Sequence, residues 1–110
     1  MKLFGDLLKE LRVSRDLPLR KVAAFLDIDT SVLSKIERGE RTAGRDVVLK
    51  VAQFYEIDSS VLLTDYLGEQ VARVIFQENN CGEILDKAKE TVAHLKDRHS
   101  EQGFFNFNNE

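Results

Sequence analysis

The sequence predicts an all-α protein, a five-helix N-terminal domain over residues 1 to 64 followed by a helical hairpin and tail over 65 to 110. Three observations predict it. Apolar residues recur at three- and four-residue spacing along most of the chain, the period of helices that bury one face. The stretches between these runs are short and hold helix-boundary residues, notably Pro18, Asp29, Gly39 and Asn80. No segment makes a convincing strand, so the pattern reads as seven helices.

The first helix is expected from about Lys2 to Arg15, with Leu3, Phe4, Leu7, Leu8 and Leu11 on one face. Pro18 opens the second, because a first-turn residue has no intrahelical partner for the N–H that proline lacks. Asp29 serves as N-cap of the third, and Gly39 as the residue just past its end. The fourth covers about Arg45 to Tyr55, with Val48, Leu49, Val51, Ala52 and Tyr55 inward. The fifth starts after Asp58 and carries Val61 and Leu62.

From about Asp65 two further amphipathic helices are expected, one with Leu67, Val71, Val74 and Ile75 as its stripe, the other with Ile84, Leu85, Ala88, Val92 and Leu95. Asn79-Asn80-Cys81-Gly82 separates them, and Asn80 with Glu83 has capping-box spacing. A Glu83–Lys87 pair would support the exposed side of the last helix. These stripes exceed what a 64-residue helical domain needs for its core, so Val71, Val74, Ile84, Leu85, Val92 and Leu95 are the candidate dimer contact. A contact through the fourth and fifth helices is the alternative. Phe104, Phe105 and Phe107 in an otherwise polar terminus read as a docking segment.

Residues 18 to 39 carry the most information about function. Val22, Ala23, Leu26, Ile28, Val32, Leu33 and Ile36 lie at helical spacing on both sides of Asp27-Ile28-Asp29, so two short helices share a core across a tight turn. The second of them keeps a polar face with Thr30, Ser31, Ser34, Lys35 and Arg38. Short hydrogen-bonding groups followed by cations suit a helix laid in the major groove of double-stranded DNA.

The region from Phe4 to Leu63 resembles the Xre family of helix-turn-helix regulators, the group with the phage Cro and CI repressors. The match rests on Leu7, Leu11 and Arg12, on Val22-Ala23, on the run Leu33-Ser34-Lys35-Ile36-Glu37-Arg38-Gly39, and on Leu49, Ala52, Ile57 and Leu62. The resemblance implies a bacterial DNA-binding transcription regulator, often a repressor, that works as a homodimer on a palindromic operator. Base contacts are then expected from Thr30, Ser31, Ser34 and Lys35, and phosphate contacts from Arg38, Arg41 and Arg45. It also implies a structural ion pair between Arg12 and Glu37. Two positions depart from the family pattern. Leu19 stands where many relatives carry a DNA-contacting Gln, and Asp27 replaces the usual turn Gly, which calls for an Asp in a left-handed or N-terminal turn conformation.

Net charge argues the other way, since a formal −3 should be repelled by phosphates. The imbalance is local. Residues 1 to 64 hold eleven Lys or Arg against ten Asp or Glu, and residues 65 to 110 hold five against nine, giving +1 and −4. Between Lys35 and Arg45 four cations face only Glu37 and Glu40, leaving a basic edge beside the third helix.

Other classes find little support. There is no Gly-rich phosphate loop, nucleophile elbow or paired-His motif, so neither catalysis nor a cofactor is expected. His94 and His99 lack partners at metal-ligand spacing, and Cys81, the one cysteine, reads as an unreactive turn residue. No apolar run reaches membrane-spanning length and the N-terminus lacks a signal-peptide core, so a cytoplasmic location is expected. Length, the Leu-Ser-Lys-Ile-Glu-Arg run and the helical extension resemble regulators of restriction-modification operons. Two alternatives remain: an antitoxin whose acidic hairpin or Phe-rich tail masks a basic toxin, and an interaction module that has lost DNA binding and works through its acidic hairpin. In both, the C-terminal hairpin is a candidate surface for a protein partner.

Overall fold

The computed structural model describes residues 1–102, so the Phe-rich tail lies outside the described residues. Among these the chain forms six helices and no strand: α1 Phe4–Ser14, α2 Leu19–Leu26, α3 Thr30–Glu37, α4 Arg45–Tyr55, α5 Ser59–Ile75 and α6 Cys81–Gln102. Contacts divide it into two units, Met1–Arg73 and the segment from Val74 onward. None of these helices is long and apolar enough to cross a membrane.

In the first unit α3 packs on both α1 and α2, and α4 packs on α2. Leu8, Leu26, Leu33, Val22, Val48 and Val51 are fully buried between them. Phe4, Ala23, Ile36, Ala43, Val47, Ala52, Tyr55, Leu62 and Tyr66 complete that core. In α4 the buried face is Val47, Val48, Val51, Ala52 and Tyr55, whereas Leu49 is 36% exposed. This corrects the inward placement of Leu49: with apolar residues on every side from 47 to 49, the face turned toward α2 is chosen by packing.

One device ends the first four helices. Asp16, Asp27, Gly39 and Glu56 all have positive φ, between 56° and 76°. At each, two backbone N–H groups turn back to the preceding turn, as Asp27 N to Ala24 O at 3.2 Å and Ile28 N to Ala23 O at 3.1 Å. The residue that follows is in three cases apolar, and Leu17, Ile28 and Ile57 pack partly buried against the core. That contact offsets the strain of a left-handed non-glycine residue.

The fifth and sixth of the seven expected helices are one. Helix α5 runs without a break from Ser59 to Ile75 and passes through the expected domain boundary at 64/65. Leu62, Tyr66 and Glu69 fall on one side of it at four- and three-residue spacing, and they keep that side docked. Tyr66 stacks edge-on against Phe4 with ring centres 5.0 Å apart and donates its hydroxyl proton to the Ala43 carbonyl. Glu69 Oε1 accepts the Phe4 backbone N–H at 2.8 Å, satisfying a free donor at the start of α1.

Helix α1 meets the end of α3 backbone to backbone. A Cβ on the buried Gly5 would lie 2.5 Å from the Ile36 carbonyl oxygen and 2.7 Å from that of Glu37. Gly5→Ala is therefore expected to lower stability by about 1 to 3 kcal/mol, although alanine alone would favour a helix by about 1 kcal/mol. Urea denaturation of the variant checks this, and an unchanged or raised midpoint would contradict the close approach.

The second unit is simpler. The Cys81 thiol donates to the Ile75 carbonyl at 3.1 Å, at the foot of α6. Asn80 directly precedes the helix and its carbonyl accepts from Ile84 N at 3.1 Å. Lys87 pairs with Glu90 at 3.4 Å, not with Glu83, because the side chain swings toward the following turn.

Candidate nucleic-acid interface

The turn between α2 and α3 is the Asp27 device described above, with φ 60° and ψ 45°, so Asp27 takes the left-handed conformation that glycine usually supplies. Asp29 follows in an extended conformation as N-cap of α3, with no side-chain capping bond. Leu33, Ile36 and Glu37 then point into the core. The opposite side of α3 stays outside: Thr30, Ser31, Lys35 and Arg38 are exposed and Ser34 is half-buried. The two helices thus fix one another through apolar contact and leave a polar face eight residues long.

The end of α3 is clamped from below. Arg12 Nε lies 2.8 Å from Glu37 Oε2 and Arg12 Nη2 3.0 Å from Glu37 Oε1, a two-pronged pair between α1 and α3. The third arm, Nη1, donates to the Leu17 carbonyl at 3.0 Å. Both side chains are withdrawn from solvent, Arg12 to 14% and Glu37 to 5% exposure. The hydrogen bonds to Glu37 raise the Arg12 pKa above its ordinary value, against the opposing effect of burial. Two parallel bonds constrain an angle as well as a distance, so the pair ties the end of α3 to α1.

Arg38 stands differently. Its guanidinium forks onto Glu40, with Nε to Oε2 at 3.0 Å and Nη2 to Oε1 at 3.2 Å, and Nη1 donates to the Ser34 hydroxyl. This pairing raises the Arg38 pKa and lowers that of Glu40. Ser34 and Arg38 are therefore joined to each other, and Glu40 neutralises one of the four expected cations. Neither was anticipated; the i, i+2 spacing across the Gly39 turn was the available signal. Lys35, Arg41 and Arg45 remain exposed with no ion pair among the described residues. Arg41 borders a shallow cleft together with Asp27 and Asp29. Leu19 is half-buried against the core, so that position has a packing role.

Among the described residues no group of three or more His, Cys, Asp or Glu is placed to hold a metal ion.

A family model described as helix-turn-helix matches residues 8–62, half of the chain. The chain belongs to the helix-turn-helix family. The match spans α2, the turn and α3 together with the helices that brace them, the region of the Cro/CI-type resemblance. Membership places this helix-turn-helix protein among DNA-binding transcriptional regulators. Among solved structures, a chain of a complex between the SinR protein and the SinI protein is similar, with a TM-score of 0.49 and 22% identity over 83% of this chain and 99% of that one. No curated protein sequence matches it.

Proposed function

We propose that the protein is a sequence-specific regulator that binds a near-palindromic operator as a homodimer, one α3 helix in each of two major grooves roughly 34 Å or a multiple apart. The observation that carries this reading is the outer face of α3. Thr30 and Ser31 at its start and Lys35 one turn later are exposed, while Leu33, Ile36 and Glu37 anchor the other side. Ser34 completes the base-reading set, and Arg38, Arg41 and Arg45 make phosphate contacts. For Arg38 that requires exchanging Glu40 for a phosphate, two anions of similar bidentate geometry.

Pairing of two copies is supported by α5. Val71 and Val74 are 47% and 80% exposed, and Leu67 beside them is 47% exposed. Thr64, Gly68 and Gln70 flank this stripe, so a second copy meets no like charge there. The remaining members of the expected dimer set, Ile84, Leu85, Val92 and Leu95, lie on α6 beside different neighbours.

The deciding experiment is a labelled-DNA shift with operator selected from random sequence. Lys35→Ala is expected to cost about 1 to 3 kcal/mol on that operator and far less on random DNA. Equal loss on both would reduce Lys35 to a phosphate contact and remove the base-reading role. Control of a restriction-modification operon extends the reading; a methyltransferase gene beside this one supports it and a toxin gene overturns it.

A further inference from the structure

On α6, Cys81, Leu85, Ala88, Val92, Leu95 and His99 follow one another at alternating four- and three-residue spacing, the seam of a paired helix. That seam is bare. Leu85, Val92 and Leu95 are 46%, 51% and 59% exposed, and Ala88 is exposed with them. An apolar stripe held in water across three turns has a strong tendency to take a partner.

The charges on either side say which kind. At about 3.6 residues per turn, Lys89 and Lys96 border the seam on one side and Arg98 borders it on the other, next to Ile84 and Thr91. Every acid between Glu83 and Asp97, namely Glu83, Asp86, Glu90 and Asp97, falls on the far side of the helix. Although the C-terminal segment is acidic as a whole, the rim of its apolar stripe is basic. Lys89, Lys96 and Arg98 have no ion pair among the described residues. Residues at these flanking positions choose the partner and its direction in paired helices.

A second copy is a poor match. In antiparallel pairing lysine rims face each other; in parallel pairing Lys89 meets Ile84 and Lys96 meets Thr91, so no rim charge is answered. A basic partner, as an antitoxin hairpin masking a toxin would have, meets the same repulsion.

We propose that the exposed face of α6 is the docking site for an amphipathic helix of another protein, one whose apolar stripe is bordered by aspartate or glutamate. The partner lays its stripe on Leu85, Ala88, Val92 and Leu95, and its carboxylates reach Lys89, Lys96 and Arg98. All of these residues belong to α6 and none to α3.

The test uses two synthetic three-heptad helical peptides with the same apolar stripe, one with glutamate at the flanking positions and the other with lysine. Each is titrated into the full-length protein and followed by fluorescence anisotropy. The glutamate peptide is expected to bind at least about tenfold more tightly, an advantage that shrinks as salt is added. The triple variant K89E, K96E, R98E, altered only at exposed positions, should reverse the preference. Circular dichroism and an unchanged operator shift show that this variant is folded and that the DNA-reading face is separate. Equal affinity for the two peptides, tighter binding of the lysine peptide, or binding of neither overturns the proposal. So does a full-length dimer in sedimentation that Leu95→Asp dissociates, since a second copy would then occupy the seam.

Discussion

Replacing Glu37 with alanine is expected to lower the stability of the first unit by about 3 to 5 kcal/mol, a fall in Tm on the order of 10 °C or more for a domain of this size. Glu37 is 6% exposed, and two of the three arms of Arg12 end on its carboxylate. Alanine would leave an arginine whose side chain is only 14% exposed without its counter-ion, and the charge cannot be shed because arginine does not deprotonate. Glu40→Ala is the control, since the Arg38–Glu40 pair lies in solvent on both sides, 52% and 57% exposed. Its melting temperature should stay close to that of the parent. Identical thermal melts for the two variants would show that the Arg12–Glu37 pair is solvated. The double replacement Arg12→Met, Glu37→Leu should recover much of the loss, because removing both charges also removes the cost of burying them. Operator binding by that double variant then tells whether the two-pronged pair also sets the angle of α3.

Leu33→Ala should cost about 2 to 5 kcal/mol. Leu33 is 0% exposed and sits where α3 packs against both α1 and α2, so the cavity would open among elements that hold each other and collapse poorly. Val61→Ala, at a position 57% exposed, should change stability by less than about 0.5 kcal/mol. Guanidinium denaturation of both variants checks the contrast, and comparable midpoints would contradict the burial of α3. Because Leu33 points away from Thr30, Ser31 and Lys35, the folded fraction of Leu33→Ala at low temperature should still shift operator DNA. The stability loss and the loss of DNA reading are in this way separable on one eight-residue helix.

Much of α2 and α3 was legible in the residues. Asp29 directly before Thr30 and Gly39 just past Arg38 bound α3, and the left-handed Asp27 was readable as the residue in the place of a turn glycine. Each of these signals acts within one helical turn. Val22, Ala23, Leu26, Leu33 and Ile36 were readable as inward because their spacing leaves a single apolar face. In α4 that argument failed: Val47, Val48 and Leu49 present apolar surface in several directions, and contact with α2 selects Val47 over Leu49.

What the sequence by itself determined is therefore the helical class, the turn, and the two faces of α3, all of which follow from interactions between residues at most a few positions apart. Only the tertiary structure decided that α5 runs through residue 65, because its continuation is held by Glu69 on the backbone of Phe4, 65 positions away, and by Tyr66 on Ala43, 23 positions away. It also decided that Gly5 must lack a side chain, since the carbonyls it approaches belong to Ile36 and Glu37. Long-range pairings of this kind depend on how helices pack in space, and packing of whole side-chain surfaces leaves no fixed spacing along the chain from which it could be read.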